Sequence, residues 1–229
     1  MSELDDIHAR YSRRKNIQKN IYSPLSFSVL MSQQELEREL VRLITVADLQ
    51  PVEEKSVLEV GCGAGGNLLQ LIKLGFNPEH LVGNDLLDCR VSKARSRLPA
   101  STLILQGDAC GLDLSAHSFD IVMQATVFSS ILDNVFQEEL ANRMWEITKP
   151  GGGILWYDFI MNNPRNKDVR GVPVSRIQEL FPSGTMTVRK LTLAPPISRL
   201  VTKIHPSLYT FFNLLPILRT HVLCWIKKP

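Results

Sequence analysis

The chain has 229 residues, which is enough for one domain with a sizeable buried core and short for two independent ones. Its composition is 44% hydrophobic and 21% charged, which excludes a disordered or fibrous protein. The formal net charge of +3 is too small to require a polyanionic partner such as nucleic acid.

The cysteines and the apolar segments indicate the cellular setting. The four cysteines form no CxxC pair and have no histidine at zinc spacing, so neither a metal site nor a disulfide framework is expected. The N-terminus lacks the arrangement of a secretory signal, and no stretch approaches the ~18 uninterrupted apolar residues of a membrane span. We expect a cytoplasmic protein without a transmembrane segment. The apolar residues 208–218 are expected to form a core or lid helix, with membrane contact and oligomeric state left open.

Short β-prone runs alternate with longer helical runs along most of the chain. An amphipathic helix is predicted at residues 34–49, and the residues before it are expected to form an arm. Seven strands are then predicted, at residues 56–60, 80–84, 102–106, 119–124, 154–159, 186–193 and 221–226. Helices are predicted at residues 67–74, 86–98, 135–148, 175–181 and 197–218.

Two polar or glycine-rich segments are expected to interrupt this alternation, a stop at residues 149–153 and a surface loop at residues 162–173. Alternating strands and helices favour an α/β fold with a parallel sheet. We therefore predict a Rossmann-like, doubly wound, seven-stranded and mostly parallel sheet with helices on both faces. Its last strand is expected to be antiparallel.

The most informative segment is VLEVGCGAGGN at residues 57–67, where a strand runs into glycines and then into a helix. Glycine suits a tight turn that a ligand must approach without a Cβ in the way. Gly61, Gly63 and Gly66 satisfy the GxGxxG spacing of dinucleotide enzymes, and Asp85 lies 19 residues past Gly66, near the ~20 expected of a ribose-binding acid. Taken alone, this spacing allows NAD as the ligand.

Glu59, at the end of the preceding strand, argues against a dinucleotide. A pyrophosphate would lie near the start of the helix and would be repelled by a carboxylate at that place. A ligand without phosphate but with cationic groups would instead be attracted by Glu59. The segment resembles the first motif of class I S-adenosylmethionine-dependent methyltransferases, in which an acid lies two positions before GxGxG, as Glu59 does before Gly61, Gly63 and Gly65.

Four further segments fall where that family would place them: LVGND, QGDA, the end of FDIVMQ and KPGGGILWYDF. The resemblance covers residues 57–159 and implies S-adenosyl-L-methionine as the cofactor. It implies that Asp85 accepts the ribose hydroxyls, that Leu86 packs on the adenine, that Asp108 and Ala109 recognise its amino group, and that Gln124 lies beside the methionine part. Cys62 lies inside the glycine loop and is also expected to bind the cofactor.

The resemblance divides the chain into two functional parts, with residues 51–229 binding the cofactor and residues 1–50 covering part of the acceptor site. Segments such as VFSSILD and NNPRNKDVRGV are similar to a bacterial subgroup that we associate with surface polysaccharides and secondary pathways. This implies a small-molecule or glycan acceptor, methylated at a hydroxyl.

Methyl transfer from a sulfonium needs mainly alignment and exclusion of water, and a general base helps if the acceptor is a hydroxyl. Asp158, at the end of the fifth strand, is the first candidate for this base, with loop bracing as the alternative role. His205 is the second, provided that the late helical region folds over as a lid, whereas a surface role is favoured for His221. Basic residues of the arm and of the polar loop are predicted to close over the donor, with Arg165 or Arg170 gripping an acidic group of the acceptor; solvated charge is the alternative.

Two other functions are alternatives to methylation of a small molecule. An RNA or protein methyltransferase is less favoured, because Asn163 and Pro164 follow the wrong strand to hold a flipped base and the net charge is low. We therefore expect no stable nucleic acid complex. A non-catalytic nucleotide-binding protein of the same fold is disfavoured because Glu59, the glycines, Asp85 and Asp108 are all present.

Overall fold

The computed structural model describes residues 3–14, 23–162 and 166–229. Seven strands form one sheet: β1 (Val57–Val60), β2 (Leu81–Asp85), β3 (Leu103–Gln106), β4 (Phe119–Ala125), β5 (Thr148–Phe159), β6 (Thr185–Leu193) and β7 (Arg219–Lys227). Their order is β3-β2-β1-β4-β5-β7-β6, and β7 is antiparallel to both neighbours while β1 to β5 pair in parallel. The predicted doubly wound sheet with an antiparallel last strand is confirmed.

Eight α-helices accompany this sheet in the described residues: α1 (Glu3–Arg14), α2 (Phe27–Val46), α3 (Gly66–Lys73), α4 (Asp88–Arg97), α5 (Asn134–Ile147), α6 (Val174–Leu180), α7 (Pro195–Ile204) and α8 (Ser207–Asn213). One apolar core joins a sheet face to α2, α3 and α4, and another joins the opposite face to α1, α5 and α6. None of the helices in the described part of the chain is long and apolar enough to cross a membrane.

The N-terminal region is more helical than predicted. α2 begins at Phe27 rather than at residue 34, and residues 3–14, which were expected to be part of an arm, form α1. α1 is highly charged, yet Ile7 and Tyr11, four residues apart, both reach a core. Three acidic residues in its first turn are favourable at the positive end of the helix dipole.

Two predicted boundaries were wrong for local reasons. β5 already begins at Thr148 and includes the glycine run expected to be a stop, and a Cβ on Gly152 would lie 2.5 Å from the carbonyl oxygen of Asp120 on β4. The helical stretch predicted at residues 197–218 is divided into α7 and α8, because the residue before a proline is pushed out of helical geometry and His205 precedes Pro206.

Candidate functional site

The glycine loop between β1 and α3 has a left-handed backbone at three positions, with φ of +67° at Gly61, +57° at Gly63 and +76° at Gly65. A Cβ on Gly61 would lie 2.4 Å from the Cγ2 of Val127, and one on Gly65 would lie 2.6 Å from a methyl of Leu98. A Cβ on Gly63 would meet no atom within 4 Å. Two of the glycines therefore allow close packing, and Gly63 faces open space.

The loop is tied directly to the end of β2. The Gly63 N–H donates to Asp85 Oδ2 over 2.9 Å, and the Cys62 N–H donates to the Asn84 carbonyl over 2.8 Å. The second carboxylate oxygen of Asp85 accepts from the Leu87 N–H over 2.9 Å. These bonds bring the predicted residues Cys62, Gly63 and Asp85 together at the carboxyl ends of β1 and β2.

Glu59 is fully buried beneath this loop. Its Oε1 accepts a hydrogen bond from Asn67 Nδ2 over 2.6 Å, whereas its Oε2 is buried with no hydrogen-bond partner. Burial raises the pKa of Glu59 to about 7; the Asn67 bond acts in the opposite direction and the charge of Asp85 adds to the rise. Sequence reasoning assigned no role to Asn67, although its place in the first turn of the helix after the loop was a signal.

The ends of β2 and β3 are also joined. Asn84 Nδ2 donates to the Gly107 carbonyl over 2.9 Å, and the Gly107 N–H donates to the Asp85 carbonyl over 3.1 Å. Asp108 accepts from the Cys110 N–H and so caps a short 3-10 turn. Leu86 and Ala109 are half-buried and pack on the same apolar core. The four residues predicted for ribose and adenine thus lie on adjoining strand ends.

Gln124, predicted to lie beside the methionine part, is fully buried at the end of β4. Its Oε1 accepts from the Val127 N–H over 2.9 Å, so the amide braces the turn that follows the strand. Within that turn Thr126 has a left-handed φ of +58°, which is strained for a β-branched residue, and its N–H donates to the Tyr157 carbonyl over 2.8 Å.

Asp158 is fully buried, and its carboxylate accepts from the Ser129 N–H over 3.1 Å and from the Phe159 N–H over 2.9 Å. Burial raises the pKa of Asp158 to about 7, and the hydrogen bonds limit the rise. These contacts brace the 3-10 turn Phe128–Ser130, which is the role that sequence reasoning gave as the alternative to a general base.

The two candidate histidines lie in different surroundings. His205 is exposed after α7, its Nδ1 accepts from the Ser207 N–H, and in the described part of the chain no hydrogen bond joins it to the glycine loop or Asp85. His221 stacks on Tyr157 with ring centroids 5.2 Å apart, and burial lowers its pKa to about 4. His221 is thus half-buried against Tyr157, and the structure gives it no contact with the glycine loop among the described residues.

An apolar pocket opens beside the ends of β4 and β5, on the face of the sheet that carries Glu59. The cavity is small, about 10 Å³, and its lining contains eight residues with apolar or aromatic side chains from five elements together with two amides: Leu36, Leu40, Leu71, Met123, Ala125, Leu155, Tyr157, Leu223, Asn67 and Gln124. The Tyr157 hydroxyl is 2.9 Å from Thr192 Oγ1, and burial raises the pKa of Tyr157 far above its usual value. Tyr157 lies in the KPGGGILWYDF segment, but no role for it was predicted from the sequence.

α1 lies against the turn after β4. Arg10 donates to the Ser130 carbonyl over 3.1 Å, and Glu3 accepts from the Leu132 N–H over 2.9 Å. The guanidinium of Arg90 lies 4.3 Å from the centre of the Tyr11 ring and 3.7 Å from Asp85 Oδ2. α1 is therefore connected, through Arg90, to the carboxylate at the end of β2.

Two basic residues, one from the arm and one from the loop, have specific partners. Arg13 pairs with Asp168 over 2.8 Å, which joins the two basic segments. Arg170 donates to the side chain of Asn134 at the start of α5. This contact places Arg170 on the face of the sheet opposite the apolar pocket, which does not favour a grip on the acceptor. Lys15, Asn163, Pro164 and Arg165 lie outside the described residues.

No group of three or more potential ligands that could hold a metal ion occurs within residues 3–14, 23–162 and 166–229.

Comparison with known proteins identifies residues 57–152 as a match to a methyltransferase domain family. Sterol 24-C-methyltransferase of Debaryomyces hansenii is 30% identical over 122 residues, covering 50% of this chain and 30% of the relative. The enzyme of Candida albicans is 29% identical over 118 residues, covering 48% and 30%. The match thus spans about a third of the length of these relatives.

Solved structures share the fold across most of the chain. An S-adenosylmethionine-dependent methyltransferase from Archaeoglobus fulgidus aligns with a TM-score of 0.60 at 15% identity, covering 86% of this chain and 95% of its own. One from Mesorhizobium loti aligns with a TM-score of 0.60 at 14% identity, covering 86% and 98%. At these identities the likeness concerns the fold.

Proposed function

We propose that this protein, whose residues 57–152 match a methyltransferase domain family, transfers a methyl group from S-adenosylmethionine to a small-molecule acceptor. The observation that carries the proposal is the buried, unpartnered Oε2 of Glu59 beneath the glycine loop. A buried carboxylate oxygen without a partner is costly unless a ligand satisfies it.

The residues at the loop fit this methyl donor better than a dinucleotide. The ammonium of its methionine part would supply the missing partner of Glu59, and its positive charge would favour the ionised carboxylate. Glu59 lies directly beneath the loop and would repel a pyrophosphate placed there. The open space beside Gly63 would let the donor approach the backbone.

The adenosine part would be held by the ends of β2 and β3. Asp85 would accept the ribose hydroxyls with the lone pairs left free by Gly63 and Leu87. Leu86 would pack on the adenine, and Asp108 with the Ala109 backbone would recognise its amino group. Gln124 would act as a positioning residue for the turn beside the methionine part, since its amide already holds the Val127 N–H.

The apolar lining beside β4 and β5 favours an acceptor with an apolar part over the glycan hydroxyl expected from the sequence, and its cavity of about 10 Å³ would have to widen to admit that part. The lining offers few polar groups to a carbohydrate, whereas apolar surface is stabilised by burial there. The match to sterol 24-C-methyltransferases is consistent with this choice. Leu36 and Leu40 of α2 line the pocket, which supports the proposal that residues 1–50 cover the acceptor site.

Alignment and exclusion of water would be the main contributions of this chain to catalysis. S-adenosylmethionine supplies an activated methyl group on a sulfonium, a good leaving group. The apolar lining excludes water, and Tyr157, whose pKa is raised by burial, stays a neutral hydroxyl that can orient the acceptor. Asp158 would position the turn at residues 128–130 rather than take a proton.

Calorimetric titration with S-adenosylhomocysteine and, separately, with NADH tests the donor part of this proposal. Micromolar binding of the first ligand alone would support it, and binding of NADH or of neither would overturn it. Transfer of radiolabelled methyl groups to the apolar and polar fractions of a cell extract tests the acceptor part. Label confined to the polar fraction would contradict an apolar acceptor without affecting the donor assignment.

A further inference from the structure

The last 50 residues of the chain, 180–229, contain seven lysines and arginines and no aspartate or glutamate. Because these seven positive charges exceed the net charge of +3, the rest of the chain carries a negative balance. The basic character is therefore concentrated in the C-terminal part, which includes β6, α7, α8 and β7.

α7 has two contrasting faces. Ser198, Val201 and Thr202 are buried on its inner side. Its outer side presents two bases and two large aliphatic residues, Arg199, Leu200, Lys203 and Ile204, with Leu200 65% and Ile204 76% exposed. An apolar stripe flanked by bases is typical of a helix that lies in a membrane interface.

α8 and the 3-10 turn Pro216–Leu218 extend this exposed apolar surface. Four large residues within seven positions are exposed there: Phe211, Leu214, Leu215 and Ile217, the last at 86%. Arg219 follows directly and donates to the Asn213 carbonyl, which holds the turn against α8. We name α7, α8 and this turn the C-terminal cap.

The C-terminal cap is a folded unit, so its exposed residues are not the result of loose packing. Leu193, Val201 and Tyr209 form its small core, against which Met31 of α2 packs. Buried Glu35 of α2 accepts hydrogen bonds from the Tyr209 hydroxyl and Asn213 Nδ2, both over 2.6 Å. The inner face of the cap is therefore fixed to α2, and its outer face has no covering element among the described residues.

We propose that the outer face of the C-terminal cap docks onto the surface of an anionic phospholipid bilayer. Its aliphatic and aromatic residues would enter the boundary between headgroups and acyl chains, and Arg199 and Lys203 would pair with lipid phosphates. No acidic residue lies in the cap to oppose a negative surface. This inference goes beyond the proposed methyl transfer and does not depend on it.

Charge also argues against a second copy of the chain as the occupant of this face. Two caps packed face to face would bring bases of both copies together without any acid between them. A negative lipid surface removes this repulsion, since each Lys or Arg near such a surface strengthens binding by about fivefold.

Co-sedimentation with vesicles tests the proposal. One set contains phosphatidylcholine alone, and the other also contains about 30 mol % phosphatidylglycerol. We expect binding to the anionic vesicles, weakened by salt and lowered about tenfold or more by Ile204→Glu and by Ile217→Glu. Val135→Glu is the matched control, because Val135 is an aliphatic residue on α5 that is 63% exposed and outside the cap.

Arg199→Gln and Lys203→Gln separate the charge contribution from the apolar one. Each should reduce binding to anionic vesicles by about fivefold and leave thermal stability unchanged. The proposal is overturned if the protein binds neither vesicle type, or if the cap variants and Val135→Glu bind anionic vesicles equally. It is also overturned if light scattering shows a dimer that Ile204→Glu dissociates, since a second copy would then cover the cap.

Discussion

The carboxylate of Asp85 accepts a hydrogen bond from the backbone N–H of Gly63 over 2.9 Å, so the acid that ends β2 helps to hold the glycine loop that follows β1. One side chain thereby connects two neighbouring strand ends at the proposed donor site. Its second oxygen is engaged by the Leu87 N–H, which fixes the orientation of the carboxylate.

Asp85→Ala should therefore weaken binding of S-adenosylhomocysteine by about 10- to 100-fold, because it removes charge-assisted bonds to the loop and to the ribose. Calorimetric titration measures this loss. Asp88→Ala is the control, since Asp88 is an exposed acid three residues further along. Equal affinities for the two variants would contradict the assignment of Asp85.

Alanine at Gly61 and at Gly63 should have different effects. Both positions have a positive φ, which costs about 1–2 kcal/mol with a Cβ, but only Gly61→Ala adds a clash, with Val127. We expect Gly61→Ala to lose more thermal stability. We expect Gly63→Ala to bind the donor more weakly, because the added methyl group would occupy the open space that the donor is proposed to fill.

Gly75→Ala serves as the control for backbone strain alone, because Gly75 has a φ of +103° outside the site. It should lower the melting temperature without changing the affinity for S-adenosylhomocysteine. A Gly63→Ala variant that binds as well as Gly75→Ala would show that the donor does not approach Gly63.

Donor binding should release a proton from Glu59. Burial raises the pKa of this group to about 7 in the free protein, and a bound ammonium would lower it. Near pH 6 the free carboxyl is mostly protonated, so binding should release close to one proton, and affinity should rise with pH up to about 7. Calorimetry in buffers of different ionisation enthalpy counts the proton.

Glu59→Gln is the matching variant, since it retains the shape but cannot ionise. It should bind more weakly and release no proton from this position. Equal proton release by the wild type and the variant would assign the proton to another group and remove the main support for a cationic ligand.

Asp158 should make the fold less stable as pH rises. Its pKa is raised from an ordinary 3.8 to about 7 by burial, so its protonated form is favoured in the folded state. That contribution is complete below pH 4 and is lost as pH rises to about 7, with a total on the order of 4 kcal/mol. Urea unfolding between these pH values should show the decline.

Asp158→Asn should remove this pH dependence, and the difference in unfolding free energy between wild type and variant is the quantity to follow. If that difference stays constant with pH, the pKa of Asp158 is the same in the folded and the unfolded protein. A bell-shaped rate profile that loses one limb in the variant would instead support the general-base role predicted from the sequence.

Glu35 should matter for stability far more than its surface neighbour Glu37. Glu35 is buried and accepts from the Thr192 N–H, the Tyr209 hydroxyl and Asn213 Nδ2, so Glu35→Ala leaves three donors unsatisfied. We expect a loss of about 3 kcal/mol or more from urea unfolding. Glu37→Ala removes only an exposed ion pair with Lys73 and should cost under about 1 kcal/mol. If the two variants lost similar amounts of stability, this would contradict the conclusion that Glu35 holds the cap to α2.

The strands and the glycine loop could be predicted because their signals are local. β-branched runs end at glycines or acids, and the spacing of Glu59, Gly61 and Asp85 is visible in the sequence. The seven strands appear in the predicted order, with ends shifted by a few residues, most at β5. The burial of Asp158 could not be foreseen, since its partners at Ser129 and Phe159 are set by a turn whose path depends on the whole sheet.

The other missed features depend on contacts between distant parts of the chain. α1 has few apolar residues, and only its contacts with residues 130–132 show why it is helical. Tyr157 lies in the KPGGGILWYDF segment, but it lines the pocket only because α2 packs beside β5 in the fold. Asn67 is the local exception, since its amide donates to Glu59 only eight residues away.

The attachment of α1 affects how the site can open. α1 is held to the turn after β4 by side-chain contacts, the bond from Arg10 to the Ser130 carbonyl and the bond from the Leu132 N–H to Glu3. β1 and β4, in contrast, are paired with strands on both sides. Local unfolding of α1 therefore needs much less free energy than opening of the central sheet, and amide hydrogens of α1 should exchange with solvent long before those of β1 and β4. Ligands could enter and leave beside Arg90 while the sheet stays folded.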